Sequence, residues 1–79
     1  MQAAKFEMSR TQVDGKNAFN LTIYRSMSNP ELHALVDSLG YKAVEGVSNC
    51  RRIVVTNQAE LDAARGPLVR FFDADGNAI

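Results

Sequence analysis

Cysteine and histidine are nearly missing from this sequence, which contains one residue of each kind, Cys50 and His33. A lone cysteine cannot form an internal disulfide, whereas small secreted domains normally contain several. Structural zinc sites need about four Cys or His ligands at fixed spacings, and the sequence has no such cluster. These absences argue against a disulfide-stabilised secreted domain. They favour a reducing compartment, which we predict to be the cytoplasm.

An excess of charge and a long apolar segment are also lacking. Nine Lys and Arg residues balance nine Asp and Glu residues, so the formal net charge is zero. General nucleic-acid binders usually carry a basic excess, because contacts to phosphates supply most of their affinity. No apolar run approaches the roughly 20 residues that cross a bilayer, and the N-terminus lacks the pattern of a signal peptide. We therefore expect no membrane partner, and any affinity for nucleic acid would come from a local basic patch.

What the sequence does contain is typical of one small folded domain. Hydrophobic residues make up 46% of the 79 residues, and the even spread of charge argues against disorder. A chain of this length has room for one modest core. We therefore treat residues 1–79 as a single domain.

The first third of the chain predicts a β-hairpin. Residues 4–13 and 18–25 alternate between apolar and polar side chains, which is the pattern of half-buried strands. Between them, Asp14 and Gly15 are residues that tolerate the positive φ of a tight turn.

Two amphipathic segments predict helices. The first follows Ser28 and Asn29, either of which can cap it, and ends at Gly40. The second spans residues 57–65, with Asn57 as its cap, and stops at Gly66. The apolar stripe of the first helix recurs at i, i+3, i+4 and i+7, and it consists of Leu32, Leu35, Val36 and Leu39.

Three further strands are predicted at residues 41–47, 50–56 and 68–72, so the element order is ββαββαβ. From residue 19 onward the order is βαββαβ, as in ferredoxin-like folds. In that fold the first core strand already has two neighbours, so the extra N-terminal strand packs elsewhere or the sheet has another order. Either way, we predict a small α+β domain with one mostly antiparallel sheet and two helices on one face.

The C-terminal stretch RFFDADGNAI contains Asp73 and Asp75 in the spacing that opens a calcium loop. An EF-hand loop distributes its ligands over about 12 residues, and the chain ends before that length is reached. We therefore predict a turn that Asp73 begins, with Gly76 or Asn77 at positive φ.

The same stretch, residues 70–79, resembles the terminal DPDGN turn of the vicinal oxygen chelate superfamily of glyoxalases and dioxygenases. That family builds its metal site from two βαβββ modules with His and Glu ligands. This chain is too short for both modules, and its single histidine lies in the first predicted helix. The resemblance therefore implies a shared turn and no metal ligand.

Cys50 and His33 are the two candidates for catalysis. Arg51 and Arg52 follow Cys50, and their charges would favour a reactive thiolate, but nothing in the sequence pairs the thiol with His33. We expect Cys50 to be a plain thiol at the start of a strand and His33 to be a polar residue on the flank of its helix. The protein is therefore predicted to be no enzyme and to have no cofactor.

Binding is the remaining class of function. Arg51 or Arg52, with Arg10, Arg25 and Lys42, could form a basic strip beside Tyr24, as in RNA-recognition domains. The RNP1 run of those domains is absent, and adjacent arginines point to opposite faces of a strand. For binding of either kind, we name the outward polar, aromatic and sulphur-containing candidates: Tyr24, Arg25, Met27, His33, Tyr41, Arg51 and Arg52.

We therefore predict a non-catalytic protein-interaction module, with a small nucleic-acid-binding module as the alternative. Chains of this size and kind are often accessory proteins or inhibitors, and some are encoded by phage or other mobile elements. The partner would be another protein or a second copy of the chain, joined through a sheet edge. Zero net charge lowers the repulsion between copies and favours a homo-oligomer.

Overall fold

The computed structural model describes residues 3–79. Its elements are β1 (Lys5–Val13), β2 (Lys16–Tyr24), α1 (Pro30–Ser38), β3 (Lys42–Ala43), β4 (Cys50–Val55) and α2 (Gln58–Arg65). Short 3₁₀ helices occupy Ser26–Ser28 and Gly66–Leu68. The strands form one four-stranded antiparallel sheet in the order β1-β2-β4-β3, which confirms the predicted α+β architecture.

The predicted hairpin is formed by β1 and β2. Asp14 and Gly15 have φ angles of 52° and 78°, as in the two-residue turns whose twist matches that of the flanking strands. Val13 and Lys16 form the closing pair, and the pairing continues to the start of β1 without a bulge. The hairpin is therefore a long and regular ribbon.

The order of the strands differs from the ferredoxin-like expectation at one position. Helix α1 joins β2 to β3, and β4 lies between these two strands and antiparallel to both. This arrangement is one split β-α-β unit. A ferredoxin-like sheet would have a C-terminal strand on the other side of β2, and β1 takes that place instead. The N-terminal strand thus has an edge to occupy because the C-terminal strand does not form.

The predicted strand at residues 68–72 is wrong. Leu68 ends a 3₁₀ helix, and Phe72 makes an isolated bridge to Ala78. A strand would have placed Leu68, Arg70 and Phe72 on one face, but Arg70 is exposed while the two apolar residues are buried. Because Leu68 and Phe72 are four residues apart, helical turns place both side chains on the same side of the chain. Arg70 pairs with Glu31 of α1 at 2.9 Å.

Both helices begin at the predicted asparagines. The Oδ1 atom of Asn29 accepts hydrogen bonds from the amides of Glu31 and Leu32 at 3.1 and 3.3 Å. Asn57 does the same for the amide of Glu60 at 2.9 Å. These side chains satisfy amides that have no partner inside the helix, so each helix starts where its cap stands.

The core lies between the helices and one face of the sheet, as predicted. Tyr41, which follows α1, belongs to this core and donates a hydrogen bond of 2.7 Å to the carbonyl oxygen of Ala64 in α2. The opposite face of the sheet is covered by neither helix. The buried members from the strands and helices form one cluster: Leu21, Ile23, Val55, Leu32, Val36, Leu61 and Ala64.

Residues 73–77 form the predicted turn, and Asp73 organises it. Its Oδ1 atom accepts hydrogen bonds from the amides of Asp75 and Asn77 at 2.9 and 3.0 Å. Gly76 has the expected positive φ, at 83°. The carboxylate of Asp73 therefore stabilises the turn. Within residues 3–79, no group of three or more His, Cys, Asp or Glu side chains could bind a metal ion.

Gly76 brings this turn onto the outer edge of β1. Its carbonyl oxygen accepts a hydrogen bond of 2.7 Å from the amide of Phe6, and the amide of Ala78 donates one of 3.2 Å to Ala4. The rings of Phe6 and Phe72 pack at a centroid distance of 5.7 Å. A Cβ atom on residue 76 would overlap with the carbonyl oxygen of Phe6, so only glycine fits this contact.

Replacing Gly76 with alanine should therefore destabilise the fold by more than the roughly 1–2 kcal/mol that a left-handed backbone costs an ordinary residue. Gly15→Ala is the matched control, because Gly15 also has positive φ but open space around it. Thermal unfolding should give a clearly lower Tm for Gly76→Ala than for Gly15→Ala. Equal losses would mean that the turn is not held against β1.

Candidate functional site

The predicted binding residues lie in separate places and do not form one site. Arg51 and Arg52 point to opposite faces of β4, as expected for neighbours in a strand. The uncovered face of the sheet carries Tyr24 and Arg52, the helical side carries His33 and Arg51, the connection after β2 carries Arg25 and Met27, and the core contains Tyr41.

The prediction that Tyr41 faces outward is wrong. Gly40, with φ of 92°, turns the chain at the end of α1 and sends Tyr41 into the core, where it is 3% exposed. Burial raises the pKa of Tyr41 well above its ordinary value of 10.0. The sequence carried this signal, because an apolar residue after a glycine at a helix end often packs back on that helix.

Tyr41 should make the protein less stable in alkaline solution. In the unfolded chain its hydroxyl ionises near pH 10, while the folded state holds the proton more tightly. Its contribution is therefore complete below about pH 10 and is lost as the pH rises above that value. Urea unfolding should show a free energy that falls with rising pH, and the fall should be smaller for Tyr41→Phe. Equal slopes would contradict the burial of this hydroxyl.

The charged side chains on the uncovered face of the sheet are mostly basic. Arg52 donates a hydrogen bond of 3.1 Å to the side chain of Thr22, and Lys42 lies opposite Arg52 across β3 and β4. The negative charge of Glu7 is the main cause that raises the pKa of Tyr24. The strand register places these charged side chains on the face: Lys5, Glu7, Lys16, Lys42 and Arg52. This face therefore carries four cationic side chains and one anionic side chain.

Cys50 lies opposite Tyr24 at the start of β4 and is 1% exposed. Burial raises the pKa of its thiol, and this effect exceeds the opposing influence of Arg52 and Arg51. His33 lies on α1, on the other side of the sheet. The structure therefore brings no Cys–His pair together, and Cys50 is a buried free thiol.

Cys50 should react slowly with a thiol reagent at neutral pH, because the thiolate is the reactive form and the side chain is enclosed. The control is Cys50→Ala combined with Ser48→Cys, which moves the thiol to an exposed loop position nearby. The control should label rapidly, and the parent only after addition of denaturant. Rapid labelling of the native parent would contradict this account and would restore Cys50 as a candidate nucleophile.

A polar cluster that the sequence analysis missed connects the 3₁₀ helix Ser26–Ser28, α1 and β4. The Oγ atom of Ser26 lies 3.4 Å from Nδ1 of His33, and Nε2 of His33 lies 3.3 Å from Asp37. Arg51 donates to the same carboxylate at 3.4 Å. The spacing of His33 and Asp37, i and i+4 on a helix, was the available signal.

Ser, His and Asp are also the members of a hydrolase triad, but the geometry here fits a structural role. In a triad the serine contacts Nε2 of the histidine and the acid contacts Nδ1, which is the reverse of the present arrangement. Ser26 is 0% exposed, so a substrate carbonyl would have no access to its hydroxyl. The cluster links α1 to the 3₁₀ helix Ser26–Ser28 and to β4.

The outer edge of β1 is closed at one end and open at the other. Because Val13 and Lys16 close a two-residue turn, the odd-numbered residues of β1 bond to β2 and the even-numbered ones direct their N–H and C=O groups outward. Ala4 and Phe6 are covered by the C-terminal turn. The outward groups of the next even-numbered residues have no backbone partner in residues 3–79: Met8, Arg10 and Gln12.

The sequence matches no protein-family model, and neither curated proteins nor solved structures give a match to it. In the described part of the chain, no helix has the length and apolar character to cross a membrane. The surfaces themselves are therefore the basis for a functional proposal.

Proposed function

We propose that this protein is a non-catalytic interaction module that binds a partner protein by strand addition at the outer edge of β1. The observation that carries this proposal is the open main chain of Met8, Arg10 and Gln12. In strand addition the main-chain hydrogen bonds supply affinity, and the alternating side chains supply specificity. Such a module acts on its partner without chemistry of its own, as accessory proteins and inhibitors do.

The contrast with the other edge supports the choice of β1. Natural sheets protect their edges with very short strands, proline, charged side chains (lysine above all), bulges or a covering segment. At the opposite edge, β3 is two residues long, and the start of β1 is covered by Gly76. Residues 7–13 have no bulge, proline or lysine, and their charged side chains are Glu7 and Arg10. Met8 and Val13 in this stretch are 45% and 38% exposed, so a partner strand would also bury apolar surface.

The proposed compartment is the cytoplasm. Cys50 is a buried free thiol, and a fold that uses its cysteine as an apolar residue needs no oxidising environment.

Gln12→Pro tests the proposed edge. It removes an outward amide and keeps the hydrogen bonds of β1 to β2, so the fold should persist. In affinity capture from nuclease-treated lysate of cells that make the protein, the parent should recover a partner and Gln12→Pro should lose it. Val47→Ser, at an exposed loop position on another surface, should keep the partner. Unchanged capture by Gln12→Pro would overturn the proposal.

Nucleic-acid binding is the second candidate, and the basic uncovered face favours it. If it is correct, Lys42→Glu with Arg52→Glu should weaken binding to single-stranded nucleic acid and lower its salt dependence, while Gln12→Pro should leave that binding unchanged. Capture that disappears after nuclease treatment would put this candidate first.

A further inference from the structure

We infer that the occupant of the β1 edge is a second copy of this chain, paired antiparallel about a two-fold axis at Thr11. This inference rests on the proposed function, since it names the partner of the same edge. It would join two four-stranded sheets into one continuous sheet.

The hydrogen-bonding pattern limits the registers of such a pair. Because only the even-numbered residues of β1 direct their main-chain groups outward, even-numbered residues must face even-numbered residues in a symmetric antiparallel pair. The two-fold axis then lies between the two copies of one residue of β1. Every such register aligns outward N–H groups with outward C=O groups. The choice among Ser9, Arg10 and Thr11 as the central residue therefore depends on the neighbours and the side chains.

An axis at Ser9 is excluded by the C-terminal turn. It would place Gln12 of the second copy beside Phe6, where Gly76 already accepts the hydrogen bond of the Phe6 amide. The contact between Gly76 and Phe6 therefore moves the pairing toward the tip of the hairpin.

An axis at Arg10 is disfavoured by charge. It would set Arg10 of each copy directly opposite Arg10 of the other, and like charges in that position are destabilising. Arg10 has no acidic partner in residues 3–79 that would offset this repulsion.

An axis at Thr11 satisfies both conditions. Each Arg10 lies opposite Gln12 of the other copy, and each of these pairs exchanges two main-chain hydrogen bonds. The two Thr11 residues face each other, which is a favourable cross-strand pair. Ser9 lies opposite Val13, so no like charges are opposed.

Charge complementarity supports the same register. Beyond Gln12, the chain of the second copy reaches Asp14 at the hairpin turn, diagonal to Arg10 of the first copy. Both residues are exposed and have no ion pair in residues 3–79. Because of the two-fold symmetry, this Arg10–Asp14 pair forms twice. The zero net charge of the chain also leaves little overall repulsion between copies.

Sedimentation velocity from low micromolar to millimolar protein is the first test. The parent should form a dimer as the concentration rises, Gln12→Pro should stay monomeric, and Asp14→Asn should weaken the dimer several-fold, since Asn keeps the turn and removes the charge. A parent that remains monomeric throughout would overturn the inference, as would a dimer that survives Gln12→Pro.

Disulfide trapping tests the register. In a Cys50→Ala background, Thr11→Cys should crosslink two copies, because facing residues that do not exchange hydrogen bonds have Cα atoms about 4.5 Å apart. Ser9→Cys should not crosslink, since its opposite residue is Val13. Efficient crosslinking of Ser9→Cys alone would overturn the register.

The experiments distinguish a failure of the proposed dimer from a failure of the proposed interaction module. A monomeric parent whose capture of another protein is lost with Gln12→Pro would overturn the second copy as occupant and keep the interaction module. A monomeric parent with capture unaffected by Gln12→Pro would overturn both.

Discussion

The fit of Gly76 against the main chain of Phe6 is the contact on which most other features of this protein depend. It holds the C-terminal turn on β1 and so brings Phe72 against Phe6, which adds aromatic surface to a core that is small in a chain of 79 residues. It also closes the first part of the β1 edge. Because this cover ends at Phe6, it decides where the edge becomes open.

The side chains that looked chemical in the sequence are already engaged within the fold. Tyr41 is hydrogen-bonded in the core, and Cys50 is buried. His33 and Arg51 both contact the carboxylate of Asp37. Within residues 3–79, the outward main-chain groups of Met8, Arg10 and Gln12 in β1 have no backbone partner.

Local signals in the sequence predicted local structure well. Asp14 and Gly15 gave the hairpin turn, the asparagine caps gave the helix starts, and the aspartate-rich stretch gave the C-terminal turn around Asp73, because each of these is decided by neighbours along the chain. The strand order was not predictable in this way, since it depends on the pairing of β2 with β4, which are far apart in the sequence.

Two structural predictions were wrong, the strand at residues 68–72 and the outward position of Tyr41. The run at residues 68–72 is apolar enough for a strand, but Arg70 at its centre breaks the alternation, and the rest of the fold offers it an ion pair with Glu31. Tyr41 was expected to face outward, although its position after Gly40 favours packing against the helix. The open part of the β1 edge could not be identified before the position of the C-terminal turn was known.

Residue-by-residue amide hydrogen exchange at low protein concentration can distinguish the closed part of the β1 edge from the open part. We expect slow exchange for Phe6, whose amide bonds to Gly76, and for Ser9 and Thr11, whose amides face β2. We expect fast exchange for Met8, Arg10 and Gln12, with Arg10 and Gln12 becoming protected at high concentration. Fast exchange at Phe6, or protection of all three outward amides in the monomer, would contradict an edge that is closed by Gly76 and open beyond it.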